Sequence, residues 1–122
     1  MTTPTLLDWI EHETGPQPTH SVIWLHGLGA DGHDFAPIVP ELRLPASLAV
    51  RFVFPHATIQ PVTINGGMAM RSWYDILTPN LVKREDEVGI RVSEQAVQAL
   101  IARENARGVP SSRIVLAGFS QG

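Results

Sequence analysis

The sequence predicts an α/β fold, a mostly parallel β-sheet with helices on both faces. Three short apolar runs rich in β-branched and aromatic residues, Ser21 to Leu25, Val50 to Phe54 and Arg113 to Ala117, read as strands. A long segment of helical period separates the second run from the third, and strands joined by helical crossovers favour parallel pairing. The composition supports a packed core, since 43% of the 122 residues are hydrophobic.

Taken in order, Leu6 to Ile10 is the first strand candidate, closed by a polar stretch containing Gly15, Pro16 and Pro18. Ser21 to Leu25 is a stronger one and stops abruptly at His26-Gly27-Leu28-Gly29. Asp34 is placed to cap a short helix running to Leu42, with Pro37 tolerable only in its first turn. Val50 to Phe54 follows as a strand closed by Pro55. Residues 58–79 fit neither period, and Asn65-Gly66-Gly67 signals a tight turn, so this segment reads as an excursion over the sheet, of the kind that often carries function. Residues 85–107 give the clearest helix: Val88, Val92, Ala96 and Leu100 recur at i+4, and Val97 and Ile101 widen the stripe. Glu85, Asp86 and Glu87 suit its positive end, Arg103 and Arg107 its negative end, and Gly108 and Pro110 stop it. Arg113 to Ala117 is then a continuous apolar strand, the type buried on both faces in a parallel sheet. With no repeats or linkers, residues 1–122 read as one partial domain.

Several function classes are excluded. Nine Lys and Arg against twelve Asp and Glu, a net charge of −3, offer no basic stripe for a phosphate backbone, so no nucleic acid is expected as partner. The absence of cysteine rules out a disulfide framework, a thiolate metal site and a cysteine nucleophile. No apolar run approaches the roughly eighteen residues of a membrane span, so stable membrane insertion is not expected. The first fifteen residues lack the basic n-region of a secretory signal and carry Asp8 within the apolar stretch, which makes a cytoplasmic protein the expectation.

The chemistry concentrates at Gly118-Phe119-Ser120-Gln121-Gly122, a G-x-S-x-G directly after a strand. A serine on a sharp strand-to-helix turn has strained backbone angles, and the residues two before and two after must be small; Gly118 and Gly122 meet that need as the elbow glycines. Ester hydrolysis through Ser120 also needs backbone donors for the oxyanion. The N–H of Gln121 supplies one, and the glycine-flanked loop after the second strand can turn the N–H of Leu28 toward the same point. In this type of site the chain order is serine, then acid, then histidine. His12, His20, His26, His33 and His56 all precede Ser120, as do Asp31, Asp34 and Asp75, so the expected acid and base are missing from residues 1–122. His26 reads as a residue shaping its loop and, with Trp73 and Tyr74, as a candidate for pocket lining. His26, Asp31, His33 and Asp34 lie close together but match no established ligand spacing, and no metal is expected.

These motifs resemble the phospholipase/carboxylesterase family, which includes acyl-protein thioesterases and bacterial carboxylesterases. The matching segments are IWLHGLGADG at 23–32, VTINGG at 62–67, SWYDI at 72–76, EDEVGI at 85–90 and VPSSRIVLAGFSQG at 109–122. The resemblance implies an α/β-hydrolase fold truncated after the nucleophile elbow, Ser120 as nucleophile, and Leu28 with Gln121 as oxyanion donors. It further implies a small-molecule ester or thioester as substrate, with an acylated protein or a lysophospholipid among the candidates, no cofactor, and a homodimer when complete. The alternative of a different class is a non-catalytic remnant or interaction module of the same fold.

Overall fold

A computed structural model of the chain describes residues 6–78 and 86–122. Its centre is a four-stranded sheet built from β1 (Trp9–Glu13), β2 (His20–Leu25), β3 (Val50–Pro55) and β6 (Ile114–Gly118), in the order β1-β3-β2-β6. The strands β2, β3 and β6 run parallel, with Ser21 opposite both Arg51 and Ile114, and β1 is added antiparallel at one edge with Trp9 opposite Pro55. The expected first strand exists but starts later, since Leu6 and Leu7 precede the pairing.

Alternation along β3 divides the core. Val50, Phe52 and Phe54 face one layer, where they meet Val22, Trp24, Phe35 and Val39. Val53 points to the other layer with Ile23 and meets Leu100 of α2 (Glu87–Ala106). Because β3 lies between β1 and β2, all six of its residues are buried. Helical structure thus covers both faces, but unequally. The helix expected from Asp34 to Leu42 shrinks to α1 (Ile38–Glu41), preceded by turns, and it begins after Pro37 with no side-chain cap. Two prolines account for this: neither Pro37 nor Pro40 has an N–H to donate to a preceding turn.

The long helix begins at Asp86, whose carboxylate accepts the N–H of Gly89 as an N-cap. Glu85, expected in its first turn, lies outside the described residues. The expected apolar stripe is buried only at its C-terminal end: Leu100 is buried, whereas Val88 and Val92 are 76% and 61% exposed. Each i+4 step drifts by about 40° around a helix with 3.6 residues per turn, so a row four positions long cannot face one partner throughout. The next member of that row is Glu104, which is buried. Its carboxylate accepts from Ser21 Oγ at 2.5 Å, Arg51 at 2.8 Å and Arg107 at 3.1 Å, docking the helix on the starts of β2 and β3.

Two further expectations are corrected. The excursion over residues 58–79 contains a hairpin, β4 (Ile59–Val62) and β5 (Met68–Arg71), paired antiparallel around a turn in which Gly66 and Gly67 adopt φ of 68° and 79°. Four-residue strands, one interrupted by Pro61, are too short for a period to register. Residue 79 at its end lies outside the described residues. The β6 strand, expected to be buried on both faces, has Val115 and Leu116 more than half exposed, because among the described residues it pairs with β2 alone. No helix among the described residues is long and apolar enough to cross a membrane.

Candidate active site

The turn after β6 brings Ser120 to the surface with φ of +55°, a left-handed conformation that costs an L-residue about 1–2 kcal/mol. The surrounding contacts enforce it. Phe119 N–H donates to Leu25 O at 3.1 Å, holding the turn to the end of β2, and Gly122 N–H returns to Phe119 O at 2.9 Å. A Cβ on Gly118 would lie 2.5 Å from the carbonyl carbon of Gly122, and one on Gly122 would lie 2.6 Å from the carbonyl oxygen of His26. Both elbow glycines are therefore required by main-chain approach. Strain imposed from outside in this way is typical of residues held for a task rather than for stability. Among the described residues no hydrogen-bond partner reaches the Ser120 hydroxyl.

The loop after β2 lies against this turn. A Cβ added to Gly27 would sit 3.3 Å from Phe119 Cδ1 and 3.5 Å from Ser120 Cβ, so a side chain there would press on the elbow. Gly29 has φ of +77° and donates its N–H to Arg71 O at 2.8 Å. Neither Leu28 N–H nor Gln121 N–H has a main-chain acceptor among the described residues. The two expected oxyanion donors thus lie on segments that flank the serine, each with its N–H unspent.

His26 is bonded into its own loop and buried beneath it. Its ring is buried: Nε2 accepts from Ala57 N–H at 3.0 Å, which leaves the proton on Nδ1 to be donated to Gly27 O at 2.7 Å. Burial lowers its pKa below the ordinary histidine value. With both nitrogens engaged, neither is left free to take a proton. Trp73 and Tyr74 do border an apolar hollow of about 470 Å³, together with Leu25, Val97, Ile101 and Leu116.

The structure also regroups the polar residues of the next loop. Asp31 and His33 meet His56, with ligand-type atoms within 4.8 Å, whereas Asp34 does not join them. The Asp31 carboxylate accepts from His33 N–H at 2.8 Å, which holds its pKa below the usual value. His56 Nδ1 accepts from Gly32 N–H at 2.9 Å, so a neutral His56 presents an N–H, not a lone pair, on its other nitrogen. These atoms are committed to the loop's own hydrogen bonds.

Two residues escape sequence reasoning. The side chain of Gln121, singled out only for its N–H, is buried and bonded to the main chain of residues 73 and 74. Asp75 accepts from Thr63 N–H at 2.7 Å and Thr63 Oγ1 at 2.6 Å, which ties the hairpin turn to the segment after β5. No local pattern announces either contact.

Comparison with known proteins extends this picture. Residues 10–122 match the family model described as Phospholipase/Carboxylesterase. The chain is 42% identical over 123 residues to an acyl-protein thioesterase 1 of Mycosarcoma maydis, covering 93% of this chain and 51% of that one. It is 44% identical over 110 residues to one of Neurospora crassa, covering 85% and 45%. The crystal structure of Arabidopsis thaliana SOBER1 superposes with a TM-score of 0.77 at 32% identity, covering 84% of this chain and 50% of that one. That of Zea mays acyl-protein thioesterase 2 superposes with a TM-score of 0.72 at 27% identity, covering 92% and 46%. The chain spans about half the length of the curated relatives it matches.

Proposed function

The chain belongs to the phospholipase/carboxylesterase family, and from that premise we propose that Ser120 is the nucleophile of a hydrolase acting on carboxylic esters or thioesters. The observation that carries this reading is the strained Ser120, exposed at the tip of a turn whose two glycines are demanded by backbone contact. In the reaction, Ser120 Oγ bonds to the acyl carbon as its proton passes to a general base. The tetrahedral adduct then collapses and expels the protonated alcohol or thiol. Water attacks the acyl-enzyme in the same way, releasing the acid and returning the proton to the serine. The N–H groups of Leu28 and Gln121 bind the oxyanion, each donor being worth about 3–4 kcal/mol. His26 cannot serve as the base, since both its nitrogens are bonded within the fold. The order serine, acid, histidine places base and acid after Ser120 in the whole protein.

Thioesters of acylated proteins are the substrate class that the relatives named acyl-protein thioesterase support best. The test is labelling of the whole protein with a serine-directed fluorophosphonate, in parallel with turnover of matched thioester and oxygen-ester acyl-peptides. Ser120→Ala is expected to abolish labelling and turnover while leaving the melting curve in place. Strong labelling of that variant at another serine would sink the assignment.

A further inference from the structure

Trp73 is a large aromatic residue beside an apolar hollow, yet both of its N–H groups are spent elsewhere. Its main-chain N–H donates to Gln121 Oε1 at 2.9 Å, and its indole Nε1–H donates to His26 O at 2.7 Å. The residue is only 4% exposed, and its ring lies 5.1 Å from that of His26. The adjacent Tyr74 O accepts from Gln121 Nε2 at 2.5 Å, so the amide of Gln121 is gripped at both ends by residues 73 and 74. Two residues earlier, Arg71 O accepts the N–H of Gly29. Leu28 therefore sits in a loop pinned on one side at His26 O and on the other at Gly29 N–H, both by the segment 71–74 that leaves β5.

From these contacts we infer that Trp73 is a positioning residue that braces the oxyanion hole. One short segment holds both donor-bearing stretches, the loop around Leu28 and the elbow at Gln121, in fixed register across Ser120. The inference rests on the proposed role of Ser120. Physically, a hole that is preorganised stabilises charge that appears only in the transition state, whereas donors that must reorient lose part of that effect. The brace is anchored in turn: Ser93 Oγ of α2 donates to Trp73 O, and the Arg71 guanidinium donates to Ala57 O at 2.8 Å. A shift of the segment 71–74 would move both donors at once.

The experiment compares wild type, Trp73→Phe and Gln121→Met in the whole protein, with active sites counted by fluorophosphonate titration. Trp73→Phe keeps the aromatic bulk and the main-chain N–H but deletes the bond to His26 O; Gln121→Met keeps the volume and the donor N–H but releases the grip on residues 73 and 74. Both variants are expected to lower kcat per titrated site by about tenfold or more, with KM within about twofold. Affinity for a trifluoromethyl ketone, which forms the oxyanion, should fall in parallel with kcat/KM, while affinity for the product acid stays put. A purely structural Trp73 lowers the melting temperature and leaves these ratios unchanged. If Trp73→Phe does not fold, Gln121→Met decides. An active wild type with both variants unimpaired overturns the brace alone; a wild type without Ser120-dependent turnover overturns the functional reading and the brace with it.

Discussion

Replacing Glu104 with glutamine removes one negative charge from a buried site that three arginines share. The carboxylate is 1% exposed, with Oε1 bonded to Ser21 Oγ at 2.5 Å and Arg51 at 2.8 Å, and Oε2 facing Arg107 at 3.1 Å and Arg103 at 3.7 Å. A glutamine oxygen can still accept from Ser21 and Arg51, but its amide must then point N–H groups at Arg107 and Arg103. Breaking a buried pair by removing one partner costs about 3–5 kcal/mol, and the surviving half of this site puts Glu104→Gln near about 3. In a domain the length of the curated relatives each kcal/mol moves Tm by about 2–4 °C, so a loss of about 6–12 °C is expected. The network sits at the start of β2 and β3, where Ser21 pairs with Arg51, while the elbow joins the other end at Leu25 and Gly118. Turnover per titrated active site should therefore be unchanged below the melting transition. Differential scanning calorimetry and ester hydrolysis on the same preparation make the test. A Tm within about 2 °C of wild type would show that the charge contributes little to docking α2.

Three other outcomes are expected. The Arg107 guanidinium bonded to Glu11 lowers that carboxylate's pKa to about 2 from 4.5, so its contribution is complete above pH 4.5 and is lost as pH falls toward 2. This contribution is about 1–3 kcal/mol after discounting for water at the partly exposed group, and Glu11→Gln should flatten that part of the stability profile; an unaltered profile assigns the acid sensitivity elsewhere. Leu28→Pro deletes one donor N–H and should lower kcat roughly a hundredfold in a variant whose circular dichroism matches wild type, whereas unchanged kcat removes Leu28 from the oxyanion hole. Gly122→Ala forces a methyl group against the carbonyl of His26 and should cost at least about 1–3 kcal/mol, read by urea denaturation, together with most fluorophosphonate labelling.

What the sequence makes legible is whatever a few neighbouring residues decide among themselves. The five residues from Gly118 to Gly122 are legible as a turn because two glycines flank a serine directly after a strand, although the contacts that demand Gly122 come from Leu25 and His26, far away in sequence. The runs that became β2 and β3 are recognisable because five or six adjacent residues, mostly β-branched and aromatic, suit a pleated, packed surface. Period predicted that α2 exists, but not which of its faces is covered. The row from Val88 to Leu100 leads on to Glu104, and only the arrival of Ser21 and Arg51 from distant strands makes a carboxylate there more useful than a fifth apolar side chain. Trp73 shows the same limit inside the site. Read locally, an indole in an apolar segment is lining for a pocket; in the fold its value lies in two N–H groups that meet partners 47 and 48 residues away. The proposed nucleophile is therefore marked in the sequence by the spacing of its neighbours. The segments inferred to brace the proposed oxyanion donors come from separate strands and loops, so their contacts become visible only once the chain has folded.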